Sequence, residues 1–194
     1  MNKNHLTYLA SPAWAEDLRV DLLPWLQTIA DLGEDVLEIG PGPGLTTDLL
    51  RECAAAVTAV EVDTELAAAL AVRLAGSNVE VIHGDATRLA IPDDRFSAAT
   101  CFSMLHHMPS PHAQDELFAE VHRVLRPGGV FLGVDTIDSP RMRQAHLDDT
   151  FVPADPATLP RRLAAAGFTA ITVGMAAEYP TRGDQFRFSA TKSG

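Results

Sequence analysis

Apolar residues fall into two kinds of run along this chain. Short, nearly unbroken apolar stretches stand at Val36 to Ile39, Val57 to Val62, Val79 to Ile82, Phe96 to Phe102 and Val130 to Val134; between them apolar positions recur at helical spacing. The first kind reads as buried strands. The second reads as helices at Leu45 to Cys53, Thr64 to Leu74, and a helix opened by Ser110 and Pro111 that keeps Leu117, Phe118, Val121, Val124 and Leu125 on one face. Strands alternating with helices predict a parallel sheet covered on both sides. Arg126 to Gly129 reads as a tight turn. Farther on, Asp155 to Ala166 reads as a helix closed by Gly167, followed by strands at Ala170 to Met175 and Phe186 to Lys192. A turn around Thr181 to Asp184 joins those two strands, which predicts a hairpin and so one antiparallel edge strand. The expected fold is α/β: a doubly wound, seven-stranded, mostly parallel sheet with helices on both faces and its last strand antiparallel.

Two stretches break this rhythm. Ahead of the first strand, Ser11 and Pro12 carry N-cap and first-turn chemistry, Trp14, Leu18, Leu22 and Trp25 recur near helical spacing, and Pro24 divides two short helices. This segment is either a helix packed on the sheet edge or a lid whose polar front, His5 and Tyr8, reaches a ligand. Between Ile137 and Pro153 regularity disappears in a polar connector carrying Arg141, Arg143, His146, Asp148 and Asp149. Connectors of that length in a compact domain commonly serve function, which makes this one, with the N-terminal helices, the candidate for substrate recognition. The whole reads as one domain over 1–194, with a helical cap or lid at 1–30 and a core at 36–192.

Composition agrees with a single domain, since 194 residues at 46% hydrophobic bury an ordinary core. Charge narrows the partners. The formal net charge is −11 and no Lys/Arg cluster is longer than Arg161-Arg162, which disfavours nucleic acid and favours a small or cationic ligand. Cys53 and Cys101 match neither a disulfide framework nor a metal motif and read as reduced core thiols of a cytoplasmic protein. Met1 to Tyr8 lacks an apolar h-region and no run nears the roughly 20 apolar residues of a membrane helix, so neither export nor membrane insertion is expected.

The candidate chemistry gathers at the strand ends. Val36 to Gly44 reads Val-Leu-Glu-Ile-Gly-Pro-Gly-Pro-Gly: a strand, then a turn in which Gly40, Gly42 and Gly44 supply positive φ and bare backbone while Pro41 and Pro43 stiffen it, then a helix start with unpaired N–H groups. Glu38 is a charge inside that strand and needs a partner such as an ammonium group. About twenty residues past the glycine loop, Glu61 is placed to accept both hydroxyls of a ribose, while Asp63 is placed to cap the next helix. Asp85, after Gly84, either accepts from the exocyclic amine of a base or caps the following turn. The fourth strand delivers Phe102, Ser103, Met104, His106 and His107 to the same edge, and the fifth ends at Asp135. Adjacent histidines point in different directions and chelate poorly, and no other His, Asp or Cys stands at ligand spacing, so no metal site is expected. One of the pair serves as general base or substrate contact, or both simply shape the pocket wall.

In this order and spacing the motifs resemble class I S-adenosylmethionine-dependent methyltransferases, over about Val36 to Lys192, and most nearly the small enzymes that act on metabolites and quinones. That family's fold is Rossmann-like, with seven strands. The resemblance puts Glu38 near the methionine part of the cofactor, Glu61 on the ribose and Gly84-Asp85-Ala86 at the adenine. Phe96 to His107 and Val121 to Gly129 resemble the later motifs. The implied cofactor residues are Glu38, Gly40, Pro41, Gly42, Gly44, Glu61, Val62, Asp85, Ala86, Phe102 and Ser103; the cofactor is S-adenosylmethionine and the partner a small-molecule methyl acceptor. His106 or His107 is the first choice for a base, Asp135 or His146 the second. Two features depart from the pattern. Ser97 stands where many relatives carry Asp, and the connector after strand five has no insertion that names a substrate. Two rivals remain: a non-catalytic cofactor sensor or partner subunit of the same fold, and an NAD-dependent oxidoreductase. The dinucleotide fingerprint asks for a third glycine at position 45, which is Leu45; here it comes one residue early. Oligomeric state stays open.

Overall fold

The structure is a computed structural model that describes residues 3–29, 32–176 and 183–194, with residues 3–5 described by their backbone. Strands β1 (Asp35–Ile39), β2 (Ala56–Glu61), β3 (Val79–His83), β4 (Phe96–Phe102), β5 (Leu125–Thr136), β6 (Phe168–Met175) and β7 (Gln185–Lys192) form one sheet in the order β3-β2-β1-β4-β5-β7-β6. The first five run parallel, and β7 runs antiparallel to both of its neighbours. Helices α1 (Lys3–Leu9), α2 (Pro12–Asp17), α3 (Leu23–Ile29), α4 (Leu45–Cys53), α5 (Thr64–Arg73), α6 (Pro111–Val124), α7 (Pro140–Ala145) and α8 (Leu159–Ala165) cover its faces.

Alternation along each strand splits the core into two layers, because successive side chains point to opposite faces. Leu37, Ile39, Ala99, Cys101 and Phe131 join Leu117, Phe118 and Val121 of α6 and Leu159 and Leu163 of α8. Val36, Ala98, Leu132 and Val134 join Leu49 and Leu50 of α4 with Trp14, Leu18, Leu22 and Leu26. The N-terminal helices therefore pack on a face of the sheet, not on its edge. The chain leaves β1 toward β2 and β3 on one side, and toward β4 and β5 on the other. That reversal opens a crevice at the carboxyl ends of β1 and β4, where open α/β sheets bind ligands.

Several expectations change. The antiparallel strand is not at the edge. The hairpin partner β7 inserts between β5 and β6 because Phe186, Phe188 and Ala190, at 0%, 1% and 0% exposure, need full cover, whereas β6 is mostly exposed and takes the edge. The turn assigned to Thr181 to Asp184 lies partly outside the described residues. Pro24 does not divide two helices. A π-helical segment, Leu18–Leu22, closed by Leu23 N–H bonding Leu18 O, carries the run past the proline's missing donor. Arg126 to Gly129 belongs to β5, and the first turn at Asp155 precedes a helix that starts only at Leu159. The connector contains α7, whose Ser139 Oγ accepts from Met142 N–H at 3.2 Å. Cys53 is exposed, and only Cys101 is a core thiol. Ser97 fastens the entry to β1, accepting from Asp35 N–H at 3.1 Å and lying 2.8 Å from Asp35 O and 2.7 Å from Leu32 O.

Candidate functional site

At the crevice, β1 hands the chain to the glycine turn. Gly40 N–H continues the ladder to Val60 O at 2.9 Å, and Gly40, Gly42 and Gly44 take φ of +66°, +56° and +86°. Their surroundings differ. A methyl on Gly40 would overlap the Met104 side chain, one on Gly42 would meet nothing within 4 Å, and one on Gly44 would overlap Leu70 and Arg73. Gly42 therefore faces open space while Gly44 starts α4 against packed side chains. Arg73 holds the back of this loop, donating to Gly44 O at 2.9 Å and pairing with Asp48 at 2.7 Å. No local pattern marks that clamp, since it reaches 29 residues along the chain.

A cavity of about 580 Å³ opens above the turn. Gly40, Pro41 and Gly42 meet it from β1, Glu61, Val62 and Asp63 from β2, Gly84, Asp85 and Ala86 from β3, and Phe102, Ser103 and Met104 from β4. Leu9 and Trp14 of the N-terminal helices contribute, and so do Asp149 and Thr150 of the connector. Tyr8 is exposed, with its hydroxyl 3.5 Å from Asp17, and the His5 side chain lies outside the described residues. Two of the expected cofactor residues lie off the cavity: Gly44, as above, and Glu38. Glu38 is buried beneath the turn, where Oε1 accepts from the Thr46 hydroxyl and Oε2 has no hydrogen-bond partner among the described residues. Burial pushes its carboxyl up to about 7 against the pull of that hydroxyl.

Glu61, 5% exposed, accepts from Gly42 N–H at 2.9 Å and Asp63 N–H at 3.0 Å, which leaves half of its four lone-pair sites for a ligand. Asp63, also on the cavity wall, caps α5, its Oδ1 accepting from Glu65 and Leu66 N–H at 2.9 and 3.0 Å. Asp85 Oδ1 caps the next turn through Thr87, at 2.9 Å from its N–H and 2.8 Å from its hydroxyl, and the residue lines the cavity. Ser103 adopts φ +53°, a left-handed conformation rare outside glycine, and its N–H donates to Val134 O at 2.7 Å.

Beyond Ser103 a short 3-10 turn, Leu105–His107, separates the two histidines by depth. His106 is 1% exposed and lies off the cavity, so it does not contact an acceptor there; His107 lines the cavity wall. Asp135, buried at the end of β5, organises the turn by accepting from Leu105 N–H at 2.8 Å, Thr136 N–H at 2.7 Å and His106 Nδ1 at 2.7 Å. The connector brings in a third ring that spacing concealed. His146 closes α7 with its Nδ1 2.7 Å from Met142 O, and its ring centroid stands 4.8 Å from that of His106 and 5.1 Å from that of His107. Burial holds its imidazole below the ordinary value, and so neutral at neutral pH. One ring nitrogen from each of the three lies within 4.8 Å of the others. The third ring stands at no ligand spacing from the pair and arrives through the fold of a connector, 39 residues after His107.

Comparisons with known proteins bear on this arrangement. A family described as a methyltransferase domain matches residues 37–133, half of the 194-residue chain. The chain is 36% identical over 100 residues to a probable S-adenosylmethionine-dependent methyltransferase of Mycolicibacterium smegmatis, covering 52% of this chain and 37% of that protein. It is 53% identical over 66 residues to a probable ribosomal RNA small subunit methyltransferase A of Methanothermobacter thermautotrophicus (33% and 24%), and 30% identical over 109 residues to a ubiquinone biosynthesis O-methyltransferase of Azotobacter vinelandii (54% and 46%). The chain thus spans less than half the length of these curated relatives. Its fold matches the crystal structure of a putative methyltransferase from Bacillus halodurans with a TM-score of 0.73 at 18% identity, covering 89% of this chain and 99% of that one. Among the described residues no helix is long and apolar enough to cross a membrane. Motif order, sheet topology and domain match agree that this chain belongs to the class I S-adenosylmethionine-dependent methyltransferase family.

Proposed function

We propose that this chain binds S-adenosylmethionine in the crevice cavity and transfers its methyl group to a small-molecule acceptor. The observation that carries the reading is the convergence of the Gly40–Gly42 turn, Glu61 and Asp85 from three successive strand ends on one cavity. These residues fit the cofactor. Gly42 leaves room for a ligand to lie on bare backbone, Glu61 keeps acceptor sites for ribose hydroxyls, and Asp85 keeps an oxygen for an exocyclic amine. Under the turn, Glu38 offers negative charge toward the methionine end once it ionises, at about pH 7. Val62, Ala86, Phe102 and Ser103 complete the cofactor wall.

The cofactor supplies an activated methyl group; the residues of the chain bind, align and exclude water. Leu9 and Trp14 act as a roof, so the N-terminal helices serve as a lid. Alignment of the acceptor along the methyl axis is the main source of rate. His107, with Glu116, Asp149 and Thr150, faces the acceptor. Among relatives that modify ribosomal RNA and relatives that modify quinones, charge favours the second kind. Glu61, Asp63, Asp85, Glu116 and Asp149 line the cavity against one cation, Arg88, among the described residues. A phosphodiester backbone would be repelled there.

Calorimetry with S-adenosylhomocysteine, followed by labelled-methyl transfer to a panel of small hydroxyl and amine acceptors and to ribosomal RNA, tests the reading. Binding with transfer to a small molecule supports it. Binding without transfer to any acceptor would favour a sensor, transfer to RNA alone would refute the acceptor class, and NAD binding without S-adenosylhomocysteine binding would refute the cofactor.

A further inference from the structure

The histidine cluster beside the cavity has a chemistry of its own. His106 and His107 come from the turn after β4 and His146 from the end of α7, and the two parts are held together by hydrogen bonds that do not involve the rings. Val152 N–H donates to His106 O at 2.7 Å, and Gln114 Nε2 bridges Leu105 O at 2.9 Å and Val152 O at 2.8 Å. The juxtaposition is thus built into the fold. We propose that His106, His107 and His146 form a binding site for a first-row divalent transition metal of the zinc class, with an open coordination position toward the acceptor side of the cavity.

The ring orientations suit this role. His106 Nδ1 faces a carboxylate at 2.7 Å and His146 Nδ1 faces a backbone carbonyl at 2.7 Å, and since both partners are acceptors each ring donates from Nδ1, which makes Nε2 its ligating atom. Histidines that ligate zinc are held in this way, with a carboxylate or carbonyl on the far nitrogen fixing ring orientation and raising basicity. Asp135 is anchored in turn by Leu105 and Thr136 N–H. Phe151 stacks on His146 at 4.7 Å and stands edge-on to His106 at 5.8 Å, an apolar wall beside the rings.

The donor set selects the metal. Imidazole nitrogens suit zinc, copper, nickel and iron, whereas calcium and magnesium ask for oxygen cages. Nitrogens on a tetrahedral zinc at 2.0–2.1 Å stand about 3.3 Å apart, so the present spread of up to 4.8 Å closes by small rotations of three rings. Three histidines leave a tetrahedral ion one position short, and His107, the ring that lines the cavity, directs that position there. An acceptor bound at that position would present an oxygen. This last step rests on the methyl-transfer reading; the metal site does not.

The test uses the full chain, stripped with EDTA and dialysed, then titrated with Zn²⁺ against a chromophoric chelator while S-adenosylhomocysteine binding is measured in parallel. One Zn²⁺ per chain is expected. His146→Ala should weaken it by about 100-fold or more, and His112→Ala, at a surface position, should leave it unchanged. His107→Ala, at a half-buried wall position, is the second variant should His146→Ala fail to fold, and Co²⁺ should give the visible absorption of a tetrahedral site in the wild type only. Failure to bind Zn²⁺ stoichiometrically, or binding that survives both His146→Ala and His107→Ala, would overturn the proposal. Zn²⁺ binding without S-adenosylhomocysteine binding would leave the metal site standing and remove the methyltransferase reading, and the reverse result would do the opposite.

Discussion

Replacing Glu38 by Gln separates stability from binding. The Glu38 carboxyl sits beneath the glycine turn at 1% exposure, and burial raises it from 4.5 to about 7. Between those values the folded chain keeps a proton that the unfolded chain has released, so stability falls as pH rises through the window and the loss is complete above about 7. At roughly 1.4 kcal/mol per pH unit, wild-type stability loses about 2 to 3 kcal/mol from this group between about pH 5 and about pH 8. Glutamine has nearly the same shape and does not titrate. Any packing or hydrogen-bond difference at Thr46 is shared by both pH values and cancels when the two are compared. Urea denaturation of wild type and Glu38→Gln at both pH values should therefore show the variant gaining about 2 to 3 kcal/mol relative to wild type on going to the higher pH. The same variant should bind S-adenosylhomocysteine more weakly at the higher pH, because the charge offered to the ammonium group is gone. A relative gain below about 0.5 kcal/mol would show that Glu38 is solvated or partnered when folded, and the reasoning from burial would fail.

Three further substitutions probe the site and its support. Glu61→Ala should weaken S-adenosylhomocysteine binding by about 1 to 3 kcal/mol through lost ribose hydrogen bonds, read by calorimetry; unchanged affinity would mean the ribose lies elsewhere. Arg187→Met removes the guanidinium that pairs with Asp21, which is 4% exposed, and should cost about 3 to 5 kcal/mol in denaturant midpoint at unchanged m-value; a loss under about 1 kcal/mol would refute the burial of that charge. Gly44→Ala, strained by φ +86° and overlapping Leu70 and Arg73, should lower stability by about 1 to 3 kcal/mol. Gly42→Ala shares the strain of a positive φ, +56°, but meets open space on the cavity side, so it should lower ligand affinity more than Gly44→Ala does, and equal effects of the two on binding would contradict their different placements.

Features that depend on neighbours in sequence were readable from it. The strands and the glycine turn follow from local patterns, and Asp63 caps its helix from the position a helix start requires. Ser11-Pro12, Ser110-Pro111 and Ser139-Pro140 all open helices by the same device, the serine hydroxyl accepting from the N–H three residues on. The third carried a signal for α7 that the polar composition of the connector masked. Other features depend on distance. Arg73 clamps the glycine turn from the far end of α5, Glu38 drops beneath the turn because only tertiary packing decides which face of β1 is roofed, and β7 takes an interior place because its phenylalanines need cover on both sides. His146 reaches the histidine pair only through the folding of the connector, and no periodicity encodes that.

The position of β7 sets an order of assembly. It is the last element in chain order, yet it lies between β5 and β6, pairing Val130 with Thr191 and Phe168 with Lys192. During synthesis β5 and β6 therefore emerge without the strand that joins them, and Phe131 waits for Phe188 to complete its packing at 5.1 Å. A nascent chain stopped before residue 185 keeps the crevice strands β1 to β4 but leaves β5 as a bare edge, a template for pairing with other chains. Closure of the sheet is thus deferred to the final strand, and the half of the fold that carries the glycine turn is complete in sequence well before the half that secures it.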